Sequence, residues 1–352
     1  KDGNQQKCLT GSFGNDFKLG NDINKYIAEN SFYSDVFNND KSWVISSPIE
    51  NRIKNKIEER GVPLKEWDVK INFGIKTGYN EAFIINGKKK DELIAEDPKS
   101  AEIIKPILRG RDIKRFRAEY ADLWLSNTHN GYKENGKVIP RINVDEYPAI
   151  KKHLNQYLDK LKKRQDKGAT PYNLRNCAYL DEFEKEKIVW KRIGSVLRFQ
   201  LDDLGAISLD STCLLTSKSE NVRYLCSVMN SKVSYDFLIR NSPKTGTGDV
   251  ITSVQAIEKL RIPKISKTQQ QPFINLVDKI IDAKKSDPHA DTSHWEDAID
   301  LLVYKLYDLT YEECKVVDPE FDSVLSRFGL EKEEFERMGV EEMEDMEVKP
   351  WN

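Results

Sequence analysis

Residues 107–116 read ILRGRDIKRF, which places Arg109, Arg111, Lys114 and Arg115 among apolar side chains with a single carboxylate, Asp112. Cations at that density are suited to phosphate, and a guanidinium fork also matches the O6/N7 edge of guanine. Three further segments mix cations with hydroxyl or aromatic groups: Lys76-Thr77-Gly78-Tyr79-Asn80, Trp190-Lys191-Arg192, and Ser242-Pro243-Lys244-Thr245-Gly246-Thr247. Hydroxyls and rings beside cations add base-edge contacts and stacking. The candidate contacts are thus Lys76, Thr77, Tyr79, Arg109, Arg111, Lys114, Arg115, Lys191, Arg192, Lys244, Thr245 and Thr247. Three of the four segments also have a plainer reading. KTGYN is a hairpin tip, Asp112 pairs with a neighbouring arginine, and SPKTGTG is a flexible loop.

Bond-making signatures are missing from the sequence. There is no G-x-G-x-x-G after a strand, no P-loop, no H-x-x-x-H pair among four histidines and no G-x-S-x-G. Asp68-Val69-Lys70 and Glu313-Cys314-Lys315 have the acid-x-Lys spacing of metal-dependent nucleases, but so charged a chain produces two such triples by chance. The expectation is a binding chain with no catalytic residue, no metal and no cofactor in this stretch.

The chain has 352 residues, 38% hydrophobic and 32% charged, with a formal net charge of −2. That small number hides a segregation. Between Glu331 and Glu347, nine carboxylates face two cations, so this stretch carries −7 and the remainder +5. A basic body with an acidic tail suits a polyanionic partner. No run of eighteen apolar residues is present, which argues against a membrane span. Five scattered cysteines without C-x-x-C spacing point to a reducing, cytoplasmic setting. The chain opens at Lys1 rather than Met, and the expectation is a piece of a longer polypeptide.

The elements that must carry these residues alternate in type, which predicts an α+β fold. Ser47, Pro48 and the spacing of Ile49, Ile53 and Ile57 predict a helix ending at Gly61. WDVKINFGIKTGYNEAFIING predicts strand, tight turn, strand. AEYADLWLSNT, KIVWKRI, VLRFQLDD and AISLDSTCLLTS predict further strands. YPAIKKHLNQYLDKLKKRQDKG and YLCSVMNSKVSYDFLIR have helical spacing. The stripe Phe273, Val277, Ile280, Lys284 predicts a helix packed on another helix. Ser293…Glu296 and Thr310…Glu313 read as capping boxes.

FGIKTGYNEAFIING followed by SAEIIKPILRGRDIKRF resembles the C-terminal specificity domain of TaqI-like and type IIG restriction–modification enzymes. EKIVWKRIG, DSTCLLT, YLCSVMNSKVSYDFL and KLRIPKISKTQQQPFINLVDKII follow in the family's order. The last is similar to the join between a recognition domain and its helix in type I specificity subunits, and LLVYKLYDLTYEE resembles a closing helical segment. The resemblance covers about residues 41–317. It implies sequence-specific recognition of double-stranded DNA as part of an adenine-N6 methyltransferase that uses S-adenosylmethionine. The family's [NDS]-P-P-[YFW] and F-x-G-x-G motifs are not in this sequence: Asn241-Ser242-Pro243-Lys244 and Phe13-Gly14-Asn15 do not complete them. The implied division is a lead-in over 1–40, a target-recognition domain over 41–265, a helical arm over 266–317 and an acidic helical tail over 318–352. The implied partners are duplex DNA and a methyltransferase domain of the same or another polypeptide. A stand-alone specificity subunit, a metal-dependent nuclease and a protein-docking module are the rival readings.

Overall fold

Strand Lys187–Lys191 (KIVWK) is buried at its first four residues and reaches solvent only at Lys191. A strand so apolar on both sides needs a core on each face, and the computed structural model supplies two. It describes residues 8–11, 22–34, 47–134 and 136–340. Parts of the 1–40 lead-in and the acidic tail beyond 340 lie outside the described residues. The architecture is α+β.

Lys187–Lys191 is central in a five-stranded sheet, ordered Val69–Phe73, Thr212–Ser217, Lys187–Lys191, Phe199–Asp202, Phe116–Arg117. All pairs are antiparallel except the last, which is parallel. Because side chains alternate along a strand, Ile188, Trp190, Cys213 and Leu215 enter one core, whereas Val189 and Leu214 enter the other.

The first core is closed by helices Pro48–Arg60, Val222–Met229, Lys267–Ser286, Ser293–Leu306, Tyr311–Val317 and Phe321–Phe328. Lys267–Ser286 buries Phe273, Val277, Ile280 and Ile281 against Val222–Met229 and Ser293–Leu306, so its apolar stripe finds helical partners within this chain. Lys284, placed on that stripe from spacing, is not among the buried residues.

The second core lies between the five-stranded sheet and a four-stranded one, ordered Ile207–Ser208, Ile104–Leu108, Leu123–Ser126, Ile84–Asn86. Helices Gly87–Glu96, Pro148–Asn155 and Leu158–Lys163 add Leu93, Ile150, Leu154 and Leu161 to it. The single helix expected over 147–168 is therefore two, broken at Gln156-Tyr157.

Two more local expectations differ from the structure. The segment from Trp67 to Asn86 is not a hairpin: Val69–Phe73 pairs with Thr212–Ser217, while Ile84–Asn86 pairs with Leu123–Ser126 in the other sheet. KTGYN is the crossing between sheets. Long-range pairing of both strands outweighs local turn propensity. The helix at 293 is entered from Thr292, whose hydroxyl bonds the Glu296 carboxylate at 2.7 Å, without the Ser293 box. The boxes at Ser47/Glu50 and Thr310/Glu313 form as expected.

Among the described residues, one ion pair is fully enclosed, and it lies in the five-stranded sheet. Lys187 donates to Asp202 and to the Phe183 carbonyl, and Asp202 also accepts from Tyr120 (2.5 Å) and from the Ala206 amide (3.0 Å). Both partners are completely buried, and burial lowers the Lys187 pKa despite Asp202. Removing one member strands the other, so Lys187→Met should cost about 3–5 kcal/mol in urea unfolding, and Lys187→Met with Asp202→Leu should recover most of it.

Glu182 gives a pH signature. Burial alone would raise its carboxyl, but hydrogen bonds from Lys70 (2.5 Å), Thr216 (2.7 Å) and the Lys185 ammonium outweigh it and hold the pKa at about 2. A depressed carboxylate stabilises the fold above its unfolded pKa and loses that contribution as pH falls through the folded value. The wild-type urea midpoint should therefore drop between about pH 4.5 and pH 2, and Glu182→Gln should be weaker at neutral pH with a flatter acid limb.

Candidate nucleic-acid interface

The four cationic segments are distant in sequence, and backbone pairing joins them. Gly74 begins the crossing. Its N–H bonds the Thr212 carbonyl (3.0 Å), Ile75 N–H bonds Ser208 O (2.8 Å), and Ile75 bridges Leu209. A Cβ at Gly74 would lie 1.9 Å from the Leu209 carbonyl oxygen, so only glycine permits this approach. Lys76 therefore emerges beside the 209–211 loop.

That loop holds two more segments. The Gly110 N–H bonds the Ser211 hydroxyl at 3.2 Å, and the Arg192 N–H bonds the Ser211 carbonyl at 3.0 Å. Gly110 sits against Lys191, whose Cγ would be 3.2 Å from an added Cβ. The fourth segment arrives through Ile193–Gly194, which pairs with Val250–Ile251, and through the Lys244–Val250 bridge. Thr252 locks the junction: its hydroxyl donates to Lys191 O (2.8 Å) and its carbonyl accepts the Trp190 indole N–H (2.8 Å).

The cations so assembled divide into two sets. Lys76, Arg111, Lys191 and Lys244 are exposed, and their side chains make no hydrogen bond or ion pair among the described residues. Arg198, exposed on the same connection, is equally free. Between Lys191 and Arg198, Ile193 and Val196 are exposed apolar side chains. Arg192 is half-buried: it donates to Asp210 O (2.9 Å) and its guanidinium lies 5.0 Å from the Phe73 ring centre.

The second set is used by the fold. Arg109 makes a two-pronged pair with Asp112 (2.9 and 2.7 Å) that closes the Gly110–Asp112 turn. Arg115 pairs with Glu296, donates to the Asn230 carbonyl (2.7 Å) and lies 3.8 Å from the Asp300 carboxylate. Burial pushes Asp300 up to about 6 even with Arg115 beside it. Arg115 thus ties the 109–116 segment to the C-terminal helices. Phe116, fully buried at φ +66°, turns the chain at this point; a bulky residue in that region costs about 1–3 kcal/mol, which its burial offsets.

Other expected contacts are also engaged. Lys114 pairs with Glu119 at 3.2 Å. Thr77 is buried, with its hydroxyl between Asn80 Oδ1 (2.6 Å) and the Tyr79 N–H (3.2 Å), so it shapes the turn. Tyr79 accepts from Lys160 at 2.8 Å. Thr245 and Thr247 bond each other at 2.9 Å, and Thr245 caps Asp249, so SPKTGTG is an ordered turn.

The strongest organiser was not visible in the sequence. Arg164 is buried and donates to the carbonyls of Thr77, Asp166 (3.0 Å), Pro171 (3.0 Å) and Asn173, with Phe83 stacked at 4.5 Å. Burial lowers its pKa to about 10. Asn173 similarly holds the 128–142 loop through the carbonyls of Thr128, His129 and Ile142. Both residues fix loops from the inside, which no local pattern announces.

The side chains of the two acid-x-Lys triples named above are engaged within the fold. Asp68 accepts from Ser219 (2.7 Å) while Lys70 is bound to Glu182. Glu313 caps Thr310 and pairs with Lys56, and Lys315 pairs with Asp322. No group of three or more potential metal ligands occurs among the described residues, and no helix there is long and apolar enough to cross a membrane.

Residues 105–262 match the model of the TaqI-like C-terminal specificity domain. Among solved structures, it is similar to the type IIL restriction–modification enzyme MmeI in complex with DNA, at 13% identity and a TM-score of 0.48, covering 80% of this chain and 36% of that one. It is also similar to the type IIG restriction endonuclease BpuSI, at 15% identity and a TM-score of 0.42, covering 73% and 32%. The chain thus spans about a third of the length of either. No curated protein matches it.

The division of the arginines is directly testable. Arg115→Ala should lower stability by about 2–3 kcal/mol in urea unfolding, somewhat below the cost of opening a fully buried pair. Arg111→Ala should leave the unfolding midpoint unchanged within about 0.5 kcal/mol.

Proposed function

We propose that this chain reads double-stranded DNA as the target-recognition region of a restriction–modification adenine-N6 methyltransferase. The observation that carries the reading is the convergence on one face of cations unpaired among the described residues: Arg111, Lys191 and Lys244 inside the stretch that matches the TaqI-like specificity domain, and Lys76 outside it. Lysine and arginine contacts to phosphates set register, and base-edge contacts select the site. Ile193 and Val196, projecting between Lys191 and Arg198, provide apolar contact of the kind a thymine methyl accepts.

Methyl transfer and its S-adenosylmethionine belong to a methyltransferase domain, in this polypeptide or in a partner, that works with this recognition region in the cytoplasm. Arg109, Lys114 and Arg115 act indirectly, by holding the loop on which Arg111 is displayed. The test is a salt series of duplex binding by fluorescence anisotropy. Log affinity should fall linearly with log salt, and Arg111→Ala or Lys191→Ala should each reduce the slope by about 1. Unchanged slopes in both variants would exclude this face as the phosphate-binding surface. No duplex binding at low salt, with capture of a protein partner instead, would favour a docking module.

A further inference from the structure

Residues Tyr132–Glu134 and Lys137–Ile139 pair as a two-stranded antiparallel ribbon, and no third strand joins it among the described residues. An isolated hairpin is marginal in water, so its foot must hold it in place. Tyr132 packs against the second core and meets the His129 ring edge-on at 5.1 Å. The Gly131 N–H bonds His129 Nδ1 (3.2 Å), the Ile142 N–H bonds the His129 carbonyl (3.0 Å), and Asn173 donates to the Ile142 carbonyl (2.9 Å). Gly131, at φ +84°, lies so close to the returning strand that an added Cβ would be 3.0 Å from Ile139 O.

The register decides what the ribbon presents. Lys133 faces Val138 across the ladder, while Tyr132 faces Ile139 and Glu134 faces Lys137. Opposed residues share a face, and successive residues along a strand change face. Tyr132 and Ile139, both half-buried, thus mark the side turned to the protein, and Lys133 and Val138 form the outer side. Val138 is 72% exposed, more than any other large apolar residue among those described. Lys133, Lys137 and Arg141 are exposed, and their side chains make no hydrogen bond or ion pair among the described residues. Glu134 is the one carboxylate between Tyr132 and Arg141. The ribbon also adjoins the cationic face: Gly131, Asn176, Cys177 and Ala178 line both the groove at its foot and the cleft that reaches Lys76 and Arg192.

We infer that this ribbon enters the major groove of the duplex and selects bases with Lys133 and Val138. The inference rests on the DNA-recognition reading and adds an element outside the four basic segments. Paired strands lie about 4.8 Å apart. With their side chains they fit a major groove roughly 12 Å wide and are too broad for a minor groove of about 6 Å. Lys133 donates to the O6/N7 edge of guanine, and Val138 packs on a thymine methyl. Lys137 at the tip and Arg141 at the foot flank that pair and meet phosphates, extending the charge of the neighbouring cationic face. Opposed Cβ atoms stand about 5 Å apart, against a rise of about 3.4 Å per base. The two base preferences therefore fall within two base pairs of each other.

The test is selection from a duplex library with a randomised centre, at low salt, by the unaltered chain, Lys133→Ala, Val138→Ser and Arg111→Ala. Both ribbon residues are exposed, and urea midpoints verify that the variants fold. The unaltered chain should enrich a site holding a guanine and a thymine within two base pairs. Lys133→Ala should lose the guanine preference about tenfold, the scale of one base contact, and Val138→Ser the thymine preference severalfold, with the rest of the site retained. Arg111→Ala should bind every duplex more weakly and enrich the same site. Identical sites from the unaltered chain and both ribbon variants overturn the inference and leave DNA recognition standing. Duplex binding that enriches no site does the same. A Val138→Ser chain that selects the unaltered site but changes from dimer to monomer in sedimentation overturns it too, assigning the ribbon to a second copy. If no duplex is bound, the DNA-recognition reading fails and the inference with it.

Discussion

The arrangement depends on a strand that is buried on both faces. Lys187–Lys191 sends Ile188 and Trp190 into one core and Val189 into the other, and its ladders to Phe199–Asp202 and Thr212–Ser217 fix its register. A shift of one residue would exchange the two sets, so the register is strongly specified. That register determines where the strand leaves the protein interior. Lys191 is the first exposed residue, and Arg192, Ile193 and the 209–211 loop follow from it. The candidate interface is thus the exposed end of the hydrophobic core, set by packing and decorated with charge.

Charge alone does not distinguish binding from structure. Arg109 and Arg115 come from the same basic decapeptide as Arg111, yet carboxylates engage both and leave Arg111 open. The Arg109–Asp112 pair was legible, because i,i+3 spacing brings the groups together. The Arg115–Glu296 pair was not, because 181 residues separate the partners. An arginine is free to bind phosphate only when no carboxylate of the fold reaches it first, and that is a property of tertiary structure.

The sequence was most informative where the physics is local. The Ser47 and Thr310 caps, the apolar stripe of Lys267–Ser286 and the apolar runs of the central strands follow from nearest-neighbour chemistry, and they suffice for an α+β class. The hairpin expected at KTGYN failed because both flanking strands found better partners far away, more than a hundred residues downstream in one case. Four basic segments were visible, but their meeting place was not. Ser211, Thr252, Arg164 and Asn173 assemble it through backbone contacts, and none of them stands in a distinctive pattern. Arg198 is an isolated cation in the sequence and gains meaning only beside Ile193 and Val196.

The central claim is that one face, built from segments far apart in sequence, meets the duplex as a unit. Hydrogen exchange of the chain with and without duplex DNA at low salt tests it most directly. The account predicts slowed exchange together in 74–78, 109–112, 191–198, 209–212 and 244–250, with the C-terminal helices unchanged. Protection confined to the C-terminal helices, or none in those five segments while DNA is bound, would contradict it.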